Sequence, residues 1–257
     1  MLSGLRRWFS AGSDQTSAAS VLARWAERGS HQFKPVHDGD GCVVLGTGQG
    51  YDWRMEWGPS QRSYIDGSEL RLIAEPGFPR DMQALVISQM LGEAVEKVVF
   101  EQYVNDVQTR IDAQTPPEAR WLVMYPKLAG ADMGGLHGRY AALGNSAPAV
   151  QRWLASPLGA ALLKTVSAVG ENEPVVLCLG RGRLILRTAM PSPEAERLAL
   201  WMSVFVAAAE QAGPLTQSWK QVESQGDDSA SSGTDSVGPP SLFDALAYSP
   251  GAARRKR

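Results

Sequence analysis

The run Tyr51-Asp52-Trp53-Arg54-Met55-Glu56-Trp57 alternates large apolar and charged residues with a period of two. Side chains on a strand point alternately to opposite faces, so this run supplies one face to a core and one to water. No helix satisfies that pattern. A strand with one wet face implies an antiparallel sheet. Upstream lies Gly46-Thr47-Gly48-Gln49-Gly50. A phosphate-binding glycine loop needs a helix after it, so that helix N–H groups face the anion. A strand follows here, and the glycines read as a hairpin turn. Asp38-Gly39-Asp40-Gly41 has turn chemistry, and Asp66-Gly67 reads as a second hairpin joining Ser63-Tyr64-Ile65 to Ser68–Leu72. Residues 33–75 are therefore expected to be antiparallel β structure.

Helical signals surround this region. Val21, Leu22, Trp25 and Ala26 form a stripe on a helix over 17–28, with Gly29 in the left-handed position after it. Pro76 and Pro79 end the sheet, and the apolar spacing from Leu91 to Ile111 predicts a long helix over 81–113. Trp121–Tyr125 is a continuous apolar run ended by Pro126 and reads as a strand buried on both faces. Residues 132–144 read as a weak helix. Ser146 and Ser156-Pro157 are helix starts. A second β segment follows, Val175–Leu179 and Leu184–Ala189, turned at Gly180-Arg181-Gly182-Arg183. Ser192-Pro193-Glu194 opens a last amphipathic helix, which Gly213-Pro214 closes.

These elements predict an α+β fold: two antiparallel β segments packed against a long helix and a C-terminal helix, with a disordered tail. The expected organisation is a flexible lead-in over 1–16, one domain over 17–213 and a tail over 214–257. A faint echo between Leu70–Leu91 and Leu184–Phe205 suggests two β-then-α halves, 17–113 and 114–213.

Composition narrows the function. Lys plus Arg is 25 and Asp plus Glu 27, a net charge of −2. Nucleic-acid binding, which runs on phosphate neutralisation, is not expected. Cys42 and Cys178 each sit in an apolar run and read as buried thiols rather than a disulfide. No run of 18 apolar residues occurs, and Met1–Phe9 lacks a signal-peptide core, so a cytoplasmic location is expected.

Chemistry-bearing motifs are scarce. His31, His37 and His137 are the histidines. Asp38 and Asp40 beside the first two are accounted for by turn chemistry, and no metal or cofactor is expected. No nucleophile elbow occurs, Ser146 has a capping role, and no catalytic residue is assigned. Glu93 and Glu96 neighbour one another on a helix, with Lys97 nearby favouring a solvated face. Arg181, Arg183 and Arg187 could grip an anion; charges that blunt a sheet edge predict the same residues.

The termini suggest partners. Leu2, Leu5, Trp8 and Phe9 beside Arg6 and Arg7 suit a weak contact with the inner-membrane surface. The apolar island 242–248, with Leu242, Phe243, Leu246 and Tyr248, suits a protein-docking peptide on a polar leash.

Three stretches, Tyr103–Asp112, Arg120–Lys127 and Gly180–Leu184, resemble conserved hypothetical bacterial proteins of no assigned function. The resemblance covers about 21–213, carries no catalytic motif and transfers no residue role. The expected function is a non-catalytic interaction or adaptor protein with a C-terminal docking segment. The alternative is a small-anion-binding protein or enzyme using the arginines of the 180–187 hairpin.

Overall fold

Gln49 and Gly50 both adopt left-handed backbone, φ 46° and 89°, and fold β2 (Cys42–Gly48) back on β3 (Tyr51–Pro59). Consecutive left-handed residues match the twist of a two-residue hairpin. This computed structural model describes residues 18–36, 41–105, 116–170 and 172–219. Leu2, Leu5, Trp8, Phe9, His37 and the island Leu242, Phe243, Leu246, Tyr248 lie outside the described residues.

The protein is α+β, as the sequence implies. The two β segments are, however, parts of one eight-stranded antiparallel sheet in the order β1-β2-β3-β4-β8-β7-β5-β6. The remaining strands are β1 (Gln32–Pro35), β4 (Ser68–Ala74), β5 (Ala84–Ser88), β6 (Tyr140–Gly144), β7 (Val175–Gly180) and β8 (Arg183–Ala189). The β4–β8 ladder joins the two regions, with Leu72 opposite Leu186 and Ile73 opposite Ile185. β5, from the first half of the chain, sits between β7 and β6 of the second, so the halves share a sheet.

The helices are α1 (18–28), α2 (Gln89–Asn105), α3 (Pro117–Met124), α4 (Gly130–Met133), α5 (Ala147–Leu154), α6 (Pro157–Val169), α7 (Ala195–Ala209) and α8 (212–219). A short 3₁₀ turn, Gly134–Leu136, follows α4. Ser146 caps α5 by accepting from the Ala149 N–H, and Ser156 caps α6 by accepting from the Leu158 N–H, each with proline in the first turn.

Several expectations are corrected. The helix expected over 81–113 starts only at Gln89. Before it, Ala84-Leu85-Val86-Ile87-Ser88 is a strand buried along its whole length between β6 and β7. A short apolar run carries no period that separates a buried strand from a helix, and here two sheet partners decide it. Trp121–Tyr125 is the reverse case. Trp121–Met124 is the second half of α3, with Ala119 and Leu122 buried and Val123 and Met124 exposed. Its signal was Pro116-Pro117-Glu118: proline in the first helical turn and an acid near the positive helix end. The weak helix expected over 132–144 gives way to α4, the 3₁₀ turn and β6.

Smaller differences concern helix ends. The left-handed residue after α1 is Ser30, φ 54°, not Gly29. A Cβ on Gly29 would stand 2.4 Å from the His31 ring, so this glycine provides room. α7 is capped by Glu194 without a side-chain bond, rather than by Ser192. Gly213-Pro214 does not end the helical region. Pro214 falls in the first turn of α8, where its missing N–H is not needed. Thr216 Oγ1 donates to the Gly77 carbonyl (3.2 Å) and Trp219 Nε1 to Asp81 (2.9 Å). The tail expected from 214 is thus helical up to 219.

One face of the sheet is apolar but for the buried Ser88 and Thr188. Trp53, Met55, Trp57, Leu70, Leu72 and Leu186 point to it, and α1, α5, α6 and α7 cover it. Trp57 Nε1 donates to the Met190 carbonyl (2.8 Å), and Trp153 Nε1 to that of Ala208 (3.1 Å), so these buried tryptophans keep their polar tips satisfied. The stretch 195–219 is long and apolar enough by composition to cross a membrane, and half of its most apolar window is buried in this core. Its contacts through Leu198, Trp201, Phe205 and Leu215 account for that composition.

Candidate functional site

The opposite face of the sheet is covered over only part of its width. α2 and α3 pack over β5, β6 and β7 through Val95, Ala119 and Leu122 on Leu85, Ile87, Leu143 and Val176. Over β2, β3, β4 and β8 the face carries charged and apolar residues, most of them partly exposed, in rows fixed by the strand register. One row is Val43, Glu56, Arg71, Arg187; the next is Leu45, Arg54, Ile73, Ile185. Val43, Leu45, Ile73 and Ile185 belong to neither packed core cluster, and all four are partly exposed.

A chain of ion pairs crosses these strands. Arg71 and Arg187 lie directly opposite one another, an arrangement that by itself is destabilising. Glu69, fully buried, stands between them. Arg187 Nη1 donates to its Oε1 at 2.9 Å, and Arg71 Nε lies 3.2 Å from the same oxygen. Ser60 Oγ (3.2 Å) and the Gln61 N–H (3.3 Å) also donate to Glu69. Arg71 Nη2 reaches Glu56 at 2.7 Å, and Arg54 pairs with the other Glu56 oxygen. Burial pulls the Arg71 guanidinium below its ordinary value, and Glu56 and Glu69 oppose that pull. The group stays charged, because no protein environment deprotonates arginine near neutrality.

A second cluster fastens α3 beside this chain. The sequence reading placed Ser63–Ile65 in a strand. Instead, the Ser60 N–H donates to the Gly67 carbonyl (2.9 Å), and 60–67 is a loop closing β3 on β4. That loop aims Arg62 and Tyr64 at Glu118 of α3. Arg62 Nε donates to Glu118 Oε1 at 2.5 Å, and the Tyr64 hydroxyl donates to the same oxygen. Burial alone would raise the Glu118 pKa. The Tyr64 hydroxyl, its own backbone N–H and Arg62 outweigh burial and hold it below the ordinary carboxylate range. Burial, with Glu118 adding to it, drives Tyr64 well above its ordinary value.

The candidate anion residues separate. Arg181 is exposed at the hairpin tip with left-handed backbone, φ 57°. Arg183 is exposed and donates to Glu75 at 3.0 Å. Arg187 is buried on Glu69. Arg183 and Arg187 share a face but are four residues apart on an extended strand, about 13 Å. Each carries a carboxylate partner.

The remaining candidates find other surroundings. Cys42 begins β2 and Cys178 lies in β7, both as free thiols. Burial raises the pKa of each, strongly for Cys178, which keeps them protonated and poorly nucleophilic. His31 stands edge-on to Trp53, ring centroids 4.7 Å apart, and burial lowers its pKa. Glu93 accepts from Gln89 (2.6 Å), and Glu96 pairs with Lys127 (2.7 Å). Among the described residues, no three or more His, Cys, Asp or Glu side chains are placed to hold a metal ion.

No protein family, curated protein or solved structure matches this chain. The geometry alone carries the functional reading. Sequence reasoning missed Glu69, Glu118, Arg62 and Tyr64. Its available signal was the opposite charge order of Arg54-x-Glu56 and Glu69-x-Arg71 on strands that the hairpin pattern already pairs.

Proposed function

We propose that this protein is a non-catalytic protein-binding module whose docking surface is the partly uncovered sheet face of β2, β3, β4 and β8. One observation carries the reading: two apolar pairs, Val43 with Leu45 and Ile73 with Ile185, are partly exposed on that face on either side of Arg54 and Glu56, outside both packed clusters. Around them the charged groups are held by one another, which gives a surface of fixed polarity rather than a set of reactive side chains. Such a surface mixes apolar and charged area, as a non-obligate protein interface does. A small anion at Arg187 is disfavoured, because it would have to displace the buried Glu69. The apolar island Leu242, Phe243, Leu246 and Tyr248 is proposed as a second contact with the partner.

The test is a photo-crosslinking residue at position 45 in cells. Protein adducts at that position, absent when the same residue is placed at exposed Asp132 on α4, are expected. Equal labelling at both positions would sink the proposal. A thermal-shift panel of anionic metabolites is the counter-test. A ligand that raises stability, and loses that effect in Arg183→Ala, would move the assignment to anion binding.

A further inference from the structure

We infer that the partner docked on this face carries a short acidic segment beside aliphatic residues, and that Arg80, Arg181 and Arg183 receive its carboxylates. The inference rests on the docking reading above and names the chemistry of the partner.

The three guanidinium groups come from two separate parts of the chain. Arg181 and Arg183 flank Gly182 in the β7–β8 turn. Gly182 is buried, and a Cβ on it would lie 3.7 Å from Arg80 Cγ, so the loop between β4 and β5 lays Arg80 against that turn. All three arginines are exposed. Among the described residues, Arg80 and Arg181 have no ion-pair partner. Arg183 holds Glu75 in an exposed pair at 3.0 Å. Such a pair contributes little, and the guanidinium keeps donors for a second carboxylate. Asp81, the other acid of the loop, accepts from Trp219 Nε1 at 2.9 Å. The corner thus sets three bases against two acids that are already engaged, in a chain whose net charge is −2. Arg181 also sits in left-handed backbone, φ 57°, where glycine would carry no strain. A strained residue without an internal ion pair fits a side chain whose partner comes from outside.

The corner is continuous with the docking face. Ile185 lies two residues beyond Arg183 on the same side of β8, about 7 Å away, and Ile73 stands opposite Ile185. Gly180 pairs with Arg183 across the hairpin, and a Cβ on it would lie 2.6 Å from Trp121 Cη2. The missing side chain therefore seats the partly exposed Trp121 ring beside Arg183. Tryptophan and arginine are the residue types enriched where protein interfaces bind most tightly. A free phosphate would engage the arginines alone. The adjoining Ile73, Ile185 and Trp121 favour a protein chain that lays aliphatic side chains on the sheet and carboxylates on the corner.

The probe is a dye-labelled synthetic peptide of leucines followed by glutamates, titrated into the full-length chain and read by fluorescence anisotropy. Matched peptides carry glutamine or phosphoserine in place of glutamate. The glutamate peptide is expected to bind about tenfold or more tightly than the glutamine peptide, and to weaken as salt screens the exposed charges. Arg181→Gly removes the guanidinium while relieving the backbone, and is expected to cut affinity about fivefold at an unchanged urea midpoint. Arg80→Glu with Arg181→Glu should abolish the preference for glutamate. Both positions are exposed and hold no ion pair among the described residues, so the fold does not depend on them.

Equal binding of the glutamate and glutamine peptides, or a glutamate preference that survives the double charge reversal, overturns the inference. A phosphoserine peptide favoured about tenfold over the glutamate peptide would assign the corner to phosphate and likewise overturn it. The crosslinker at position 45 separates this failure from that of the docking reading. Specific adducts there without a glutamate preference remove the acidic partner and leave the docking face. A glutamate preference that Arg181→Gly weakens, without specific adducts at position 45, supports the arginine corner and removes the wider face. Neither adducts nor preference removes both.

Discussion

Tyr64 donates its hydroxyl to Glu118 Oε1 across 54 positions of sequence and so fastens the β3–β4 loop to α3. Arg62 from the same loop shares that oxygen. A double-mutant cycle with Tyr64→Phe and Glu118→Gln, followed by urea unfolding, should show a coupling of about 1–3 kcal/mol, as expected for a hydrogen bond to a charged group. A coupling near zero would mean that loop and helix stay docked without this bond.

The same carboxylate sets an acid dependence. Its folded pKa is depressed, so it contributes stability at pH values above the ordinary 4.5. That contribution is lost as pH falls through the folded value. The stability gap between wild type and Glu118→Gln should be largest near neutrality and shrink below about pH 4.5. Melting temperatures of both proteins at several pH values would check it. A gap that widened on acidification would contradict the assigned direction.

Glu69 separates two guanidinium groups. Glu69→Ala leaves Arg71 and Arg187 facing each other with no buried counter-charge and should cost about 3–5 kcal/mol in chemical denaturation. Replacing the trio together, Glu69→Leu with Arg71→Met and Arg187→Met, should cost far less, because no charge is then left unpaired. Similar losses in both variants would show that the residues act through packing rather than charge.

The β7–β8 turn places left-handed backbone at both Arg181 and Gly182, φ 57° and 78°. Gly182→Ala adds a Cβ to the latter and sets it 3.3 Å from the Phe78 carbonyl. A loss of about 1–2 kcal/mol is expected. Arg181→Gly relieves the one non-glycine residue held there and should be close to neutral. Urea midpoints of the two variants, compared with wild type, decide the ordering.

Local pattern determined much of this protein. The period of two in β3, the Gln49-Gly50 and Arg181-Gly182 turns and the Ser146 and Ser156 caps each depend on residues close together in the chain. Their physics is complete within a few positions, so the sequence alone settled them, together with the α+β class. Only the tertiary structure decided that Ala84–Ser88 is a strand and Trp121–Met124 helical, because runs that short have no readable period and take the form their neighbours stabilise. It likewise decided that β4 pairs with β8, which made one sheet of two segments and brought Arg187 to Glu69. Glu118 meets Tyr64 for the same reason: contacts between distant residues follow from where whole elements pack, and no local spacing encodes that.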